Sequence, residues 1–323
     1  MDSEARPVLL CYDGSPDARR AIEGAAALFG GRRAIVAHVW QSLSGLLLGG
    51  DVDELSGVLR EAATELDSSD AKEADRVARE GAEIASGLGF EAIPRAVCGE
   101  RKLWSALTDL AEQEDCAAVV VGARGLSPVK SALLGSVSQA VLQHSSRPVL
   151  VVPLDEGPGE QGGPALLAYD GSDPARAAIE TAGGLLPARQ AAVIAVWRSA
   201  ADVSSAALAA APSGVVHEAA ARADEALHRN AQQTAEEGAV LARAAGFEQV
   251  QATAARAVGN IGSTLASAAE ERAAGLLVLG SRGRGMLAVF VLGSVSRTVA
   301  AHAPVPVLVV PRAGYSTKPL SSA

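Results

Sequence analysis

The sequence predicts two tandem copies of one α/β domain, each a doubly wound parallel sheet covered by helices on both faces. Three observations predict it. First, the chain repeats itself. Val8–Trp40 aligns with Ala165–Trp197 without a gap, 18 of 33 positions identical, and Val119–Pro153 aligns with Leu277–Pro311, 17 of 35 identical. The offsets, 157 and 158 residues, are far longer than a solenoid unit, so the repeat is a domain. Second, short apolar runs alternate with helix-length segments in both copies. Third, those runs are continuous rather than alternating, as in strands buried on both faces.

The elements follow in order. Each copy opens with an apolar run, Val8–Tyr12 or Ala165–Tyr169, read as a buried strand ending in an Asp-Gly-Ser turn. A helix follows over Asp17–Phe29 or Pro174–Leu186, with Pro174 near its first turn, where proline is tolerated. The second strand is Ala34–Trp40 or Ala191–Trp197. A long charged helix is expected over Ser69–Leu88 or Ala219–Ala245, ending at Gly87/Gly89 or Gly246 as helices commonly do. Third strands run near Glu91–Val97 and Gln249–Ala254, then helices over Arg101–Glu114 and Ile261–Ala273. The fourth strand is Ala117–Val121 or Leu276–Leu279, the last helix Ser136–His144 or Ser294–His302, and the last strand Pro148–Val152 or Pro306–Val310. Between the copies, residues 155–164 are a polar Gly/Pro stretch. The expected organisation is therefore a first domain over 1–154, a linker over 155–164, a second domain over 165–312 and a flexible tail over 313–323.

Composition narrows the class. Hydrophobic residues make up 49% and aromatics only 3%, so the cores must be aliphatic. A net charge of −9 argues against nucleic acid and against an anionic membrane as partners. Three cysteines, Cys11, Cys98 and Cys116, form no CxxC pair and suggest a reducing compartment. No apolar run approaches the ~20 residues of a membrane span, and Met1–Pro7 shows no signal segment. The expectation is a soluble cytoplasmic protein.

In such sheets ligands bind beyond the carboxyl ends of the strands, at the switch point. There the first copy reads Gly122-Ala-Arg-Gly125, nine residues, then Gly135-Ser136, and the second reads Gly280-Ser-Arg-Gly283, nine residues, then Gly293-Ser294. Glycine permits close backbone approach, successive N–H groups form an anion-binding nest, and a helix begins at each Gly-Ser. The plainer reading is that Gly122 and Gly280 end strands while Ser136 and Ser294 cap helices. Within the loop, Leu126–Leu134 and Arg284–Leu292 share only their final leucine, whereas the flanking glycines and serines recur. Divergence between retained hinges favours a ligand. The chain lacks Gly-x4-Gly-Lys-Ser/Thr, and its first strand leads into Asp-Gly-Ser rather than Gly-x-Gly-x-x-Gly. Lys130 has Ala288 as its counterpart, so it is no shared phosphate lysine.

These residues resemble the universal stress protein family, in its ATP-binding branch. The carriers are the Asp13-Gly14-Ser15 turn, the Gly122…Gly125…Gly135-Ser136 loop and the Pro148–Val152 strand, all recurring in the second copy. The resemblance implies an adenine nucleotide α-hydrolase-like sheet of order 3-2-1-4-5 in each domain. It implies ATP, with AMP or ADP as alternatives, and Mg²⁺ brought in on the phosphates without direct protein ligands. Carried over by position, Asp13 and Asp170 lie by the ribose or adenine; turn capping is their other reading. Val39 and Val196 line the adenine pocket, with Val121 and Leu279 flanking it; core packing is their other reading. Arg124 and Arg282 lie near the phosphates. Val137, Ser138, Val295 and Ser296 continue the phosphate-binding helix starts. One departure is visible: Ala117 and Gly275 stand where the family often has aspartate. The family also pairs domains through the last strand, which implies pairing of Pro148–Val152 with Pro306–Val310, and a homodimer as a further option.

Other chemistry is set aside. His144 and His302 each end the last helix, where a histidine favours the carboxyl dipole. No Cys/His cluster has metal-ligand spacing, and no Gly-x-Ser-x-Gly elbow or His-x-Gly-His signature occurs. The charged stretch Asp67–Glu83 reads as a solvated helix face. The expected function is a nucleotide-dependent stress-response or signalling module with one site per domain. A slow ATPase or a chaperone-like partner protein using the same sites is the alternative.

Overall fold

The computed structural model describes residues 6–44, 57–99, 102–124, 134–154, 162–200, 213–283 and 292–311. The chain divides at Leu154/Asp155 into two compact units. The first contains β1 (Val8–Cys11), α1 (Pro16–Phe29), β2 (Arg33–Trp40), α2 (Gly57–Gly87), β3 (Glu91–Cys98), α3 (Leu103–Gln113), β4 (Ala118–Gly122), α4 (Ser136–His144) and β5 (Val149–Val152). The second contains β6 (Ala165–Ala168), α5 (Asp173–Leu185), β7 (Gln190–Trp197), α6 (Ser213–Ala244), β8 (Glu248–Arg256), α7 (Ile261–Glu271), β9 (Leu276–Gly280), α8 (Ser294–His302) and β10 (Val307–Val310).

Strand order in the first unit is β3-β2-β1-β4-β5, and in the second β8-β7-β6-β9-β10. Every neighbouring pair within a unit is parallel. The order is 3-2-1-4-5 in both. The chain winds one way from β1 and the other way from β4, which leaves a crevice between their carboxyl ends. In the second unit the crevice lies between β6 and β9.

Burial explains why these segments are strands. All four residues of β5 and of β10 are buried, as are all five of β4 and β9. Leu9, Leu10, Leu150, Leu166, Leu167 and Leu308 are among the most completely buried side chains. Each leucine so buried contributes about 1.5–3 kcal/mol before its entropy cost. Helix α1 shows the complementary pattern. Ser15 caps it, Oγ accepting from the Ala18 amide at 3.0 Å, Pro16 opens it, and Ala18, Ala21, Ile22, Ala25 and Phe29 turn one stripe onto the sheet. Ser172 caps α5 in the same way, accepting from the Ala175 amide at 3.3 Å.

The long helices start earlier than the sequence predicts, at Gly57 rather than Ser69 and at Ser213 rather than Ala219. In α2 the Ser68-Ser69-Asp70 run looks like an N-terminal cap, yet it lies inside a stretch rich in Ala, Leu and Glu. Good helix formers on both sides override a capping signal. Each long helix approaches the sheet through a glycine. A Cβ on Gly81 would stand 2.6 Å from Tyr12 Cδ1, and one on Gly238 would stand 2.7 Å from Tyr169 Cδ1. Among the described residues no helix is long and apolar enough to cross a membrane.

Candidate nucleotide sites

The turn after β1 sets one wall of the first crevice. Gly14 takes φ +80, a left-handed conformation that favours glycine. Asp13 Oδ1 accepts from the Ser15 amide at 3.0 Å. In the second unit Gly171 takes φ +79, and Asp170 Oδ1 accepts from Ser172 N at 3.0 Å and from Ser172 Oγ at 2.5 Å. Both aspartates are thus turn acceptors, and both also line a cavity. The two sequence readings of these residues are compatible in one geometry.

The opposite wall is the end of β4 and the start of α4. Gly122 closes the strand, where a Cβ would stand 3.1 Å from the Asp17 carbonyl oxygen. Gly280 is tighter, at 2.8 Å from the Pro174 carbonyl oxygen. Glycine is needed there because the first turn of α1 or α5 lies against the strand end. Gly135 N–H donates to the Ala123 carbonyl at 2.8 Å, and Gly293 N–H to the Ser281 carbonyl at 2.9 Å. Those bonds tie each helix start to the strand end.

Among the described residues, no side chain caps the start of helix α4 or α8. The amides of Ser136, Val137 and Ser138, and of Ser294, Val295 and Ser296, occupy the first turn, where an α-helix makes no internal N–H bonds. This contrasts with α1 and α5, whose own serines cap them. An uncapped first turn with a positive dipole end suits an anion.

The serine hydroxyls do not behave alike. Ser138 Oγ donates to the Gly122 carbonyl at 2.7 Å, and Ser296 Oγ to the Gly280 carbonyl at 2.9 Å, both buried. A hydroxyl has one proton. Given to a backbone carbonyl, it is not available to an acceptor-only anion, so only the amides of Ser138 and Ser296 are left to meet one.

Each crevice is a defined cavity, of about 460 Å³ in the first unit and about 330 Å³ in the second. Both volumes fall in the small-ligand range. Asp13, Val39, Val121, Gly122, Arg124, Gly135, Ser136, Val137 and Ser138 all border the first. Asp170, Val196, Leu279, Gly280, Arg282, Gly283, Gly293, Ser294, Val295 and Ser296 border the second. Gly125 lies outside the described residues. A Cβ on Gly283 would stand 2.7 Å from Asp170 Oδ2, so the second cavity narrows where the loop faces the turn.

Sequence reading missed part of the lining. Leu103 and Leu107 of α3, with Ile261 and Leu265 of α7, form the apolar flank. Their signal was an i, i+4 aliphatic pair recurring at one offset. Tyr12 and Tyr169 also line the sites; the Tyr12 hydroxyl donates to Glu80 Oε1 at 2.7 Å. Burial, then that bond, pushes the Tyr12 phenol up to about 12. Cys11 lines the first cavity, and burial raises its thiol well above the ordinary range. Among the described residues no group of three or more His, Cys, Asp or Glu could hold a metal ion.

The universal stress protein family model matches the chain twice, over residues 4–153 and 163–311. The chain belongs to the universal stress protein family. A universal stress protein of Thermus aquaticus is 34% identical over 149 residues, 46% of this chain and 98% of that protein. One from Mycolicibacterium smegmatis is 32% identical over 197 residues, 59% of this chain and 60% of that protein. Among solved structures, a universal stress protein from Archaeoglobus fulgidus covers 96% of this chain and 99% of its own, with a TM-score of 0.60 and 22% identity. That likeness extends the universal stress protein architecture across both units of the chain.

Proposed function

We propose that each unit binds one adenine nucleotide, ATP foremost, and that the protein is a nucleotide-dependent module of the stress response. One observation carries this reading. The same crevice occurs twice, with an uncapped helix start at one end, a turn aspartate at the other and aliphatic walls between. The amides of Ser136–Ser138 and Ser294–Ser296 would hold phosphate, with Arg124 and Arg282 near its charge. Asp13, Val39 and Val121, and Asp170, Val196 and Leu279, would hold the nucleoside. Mg²⁺ would enter with the phosphates. A bound triphosphate supplies concentrated negative charge at each helix start, and its arrival or loss is the event the module reports.

Calorimetry with ATP tests the proposal, with two sites per chain as the expected result. Ser136→Asp and Ser294→Asp should each remove one site, weakening it about 100-fold, because a carboxylate repels phosphate at the amides. Aspartate in the first turn favours the helix dipole, so folding is retained. Absence of ATP binding to the intact chain, or two sites that ignore both substitutions, overturns the reading.

A further inference from the structure

The second unit has a second cavity, of about 550 Å³, between β7 and α6. Its walls include Ala195, Trp197, Leu227, Asn230 and Thr234. Tyr169, Asp170 and Val196 border both this cavity and the proposed nucleotide site. The two spaces therefore meet at the carboxyl ends of β6 and β7. Successive residues of a strand face opposite sides of the sheet. Ile194 accordingly borders only the nucleotide site, on the α7 side, while Ala195 and Trp197 border only the second cavity, on the α6 side.

The first unit places a larger side chain at the equivalent position, one that also borders its own crevice. His38 stands where the second unit has Ala195, at the repeat offset of 157. Its Nδ1 lies 2.9 Å from the Tyr12 carbonyl oxygen. It also reaches toward α2: the Glu73 carboxyl is held below its ordinary range by Arg76 first and by His38 as well. The equivalents of Tyr12 and Glu73 are Tyr169 and Asn230, both walls of the open cavity. An imidazole bonded to the Tyr12 carbonyl thus stands, in one unit, where an alanine borders an open cavity in the other.

Polarity decides which end of a ligand could enter. The phosphate end belongs at the start of α8, where Gly293 and Ser294 border only the nucleotide site. Asp170 and Val196, shared by both spaces, are at the nucleoside end. Val196 is the residue read as lining the adenine pocket, so a group that passes it into the second cavity is attached at the base. We propose that the second unit accepts an adenine nucleotide enlarged at its base by a planar or aliphatic group, that the first unit excludes it, and that Ala195 against His38 determines the difference. This rests on the nucleotide reading above.

The probe is N6-benzyl-ATP, titrated calorimetrically against the full chain beside ATP. The expected result is two sites for ATP and one for the analogue. Ala195→His should weaken analogue binding by about tenfold or more through steric exclusion, with the ATP sites retained. Thr234→Phe fills the same cavity from α6 and should do likewise, which guards against a misfolded Ala195 variant. His38→Ala should create a second analogue site. The inference is overturned if a chain that binds two ATP takes two analogues or none, or if neither Ala195→His nor Thr234→Phe weakens the analogue. A chain that binds no ATP overturns the nucleotide reading itself, and this inference with it.

Discussion

His38 of the first unit and Ala195 of the second hold the same place on the second strand of their sheets. One bonds the Tyr12 carbonyl at 2.9 Å, and the other borders a cavity of about 550 Å³. A second difference lies on the opposite flank. Trp104 of α3 stacks on His144 with ring centroids 4.2 Å apart, whereas its counterpart Gly262 would place a Cβ 2.7 Å from Thr298 Cβ. Against these stand features the units share: the Asp-Gly-Ser turn, the capped α1 and α5, the uncapped α4 and α8, and the serine-to-glycine-carbonyl bond. On the proposed reading, the parts that would set a phosphate position are held in common. The position beside the proposed nucleoside end, His38 against Ala195, differs. Two copies with one anchoring end and two different rims can bind one class of ligand and still discriminate within it.

The largest expected effect tests whether the shared helices are packed alike. Gly183 of α5 corresponds to Ala26 of α1. A Cβ on Gly183 would stand 2.2 Å from the Ala245 carbonyl oxygen, a backbone atom that cannot swing away. Gly183→Ala should cost about 3 kcal/mol from overpacking and recover about 1 from helix propensity. The net loss of about 2 kcal/mol corresponds to a fall in melting temperature of about 4–8 °C for a unit this size. Ala26→Gly in the first unit should lose only the propensity, about 1 kcal/mol. Calorimetric scans of the two variants measure this, and equal shifts would show that α5 and α1 pack on their long helices in the same way.

A smaller effect concerns the clamp between the second strand's loop and the long helix. Asp67 accepts from the Ser42 and Ser44 hydroxyls and from the amides of Leu43 and Ser44. Its counterpart Asp224 accepts from the Ser199 hydroxyl at 2.7 Å and the Ala200 amide at 2.8 Å. Hydrogen bonding to the charged form holds both below the ordinary value of 3.8, for Asp67 through Ser44 and Ser42 first, for Asp224 through Ser199 first. A carboxyl with a lowered folded pKa stabilises above its unfolded value, and the benefit is lost as pH falls through the folded one. Both clamps should hold at neutral pH and loosen below about pH 4. Amide exchange at Leu43 and at Ala200 reads them separately. Asp67→Asn should accelerate exchange at Leu43 more than Asp224→Asn does at Ala200, since among the described residues Asp67 gathers more donors.

What the sequence showed of this, and what it hid, divides along physical lines. The strands were legible because a parallel strand buried on both faces needs a continuous apolar run, and Val149–Val152 or Leu276–Leu279 can hardly be anything else. The helix starts at Ser136 and Ser294 were legible because a Gly-Ser pair at a helix start is a local signal. The early start of α2 was not legible: Ser68-Ser69-Asp70 is a local capping signal that its helix-forming neighbours outweigh. Contacts between distant segments were not legible. Nothing local pairs Gly81 with Tyr12, or explains Gly122 by the nearby Asp17 carbonyl. Nor could residue type reveal that Ser138 gives its proton to Gly122 rather than to a ligand. His38 was passed over because its meaning comes from comparison with Ala195 across a cavity.

The smallest effect isolates the flank where the units differ most in side-chain chemistry. His144 packs on Trp104, and Lys102 lies over the same indole, its ammonium 5.6 Å from the ring centroid. Burial first, and the Lys102 charge second, hold the imidazole below its ordinary value of 6.5. The folded state therefore binds the proton less readily than the unfolded chain. The stack is fully present above about pH 6.5 and weakens as pH falls through the lower folded value. A protonated imidazole against an indole quenches its emission, so Trp104 fluorescence should titrate with a midpoint below 6.5. His144→Gln should abolish that step. Lys102→Met should move the midpoint upward, since it removes the charge that opposes protonation but leaves the burial. The second unit has Gly262 in place of the tryptophan, so His302→Gln should leave the titration unchanged. A step that survives His144→Gln would place its origin outside the first unit's stack and remove the clearest chemical distinction between the two flanks.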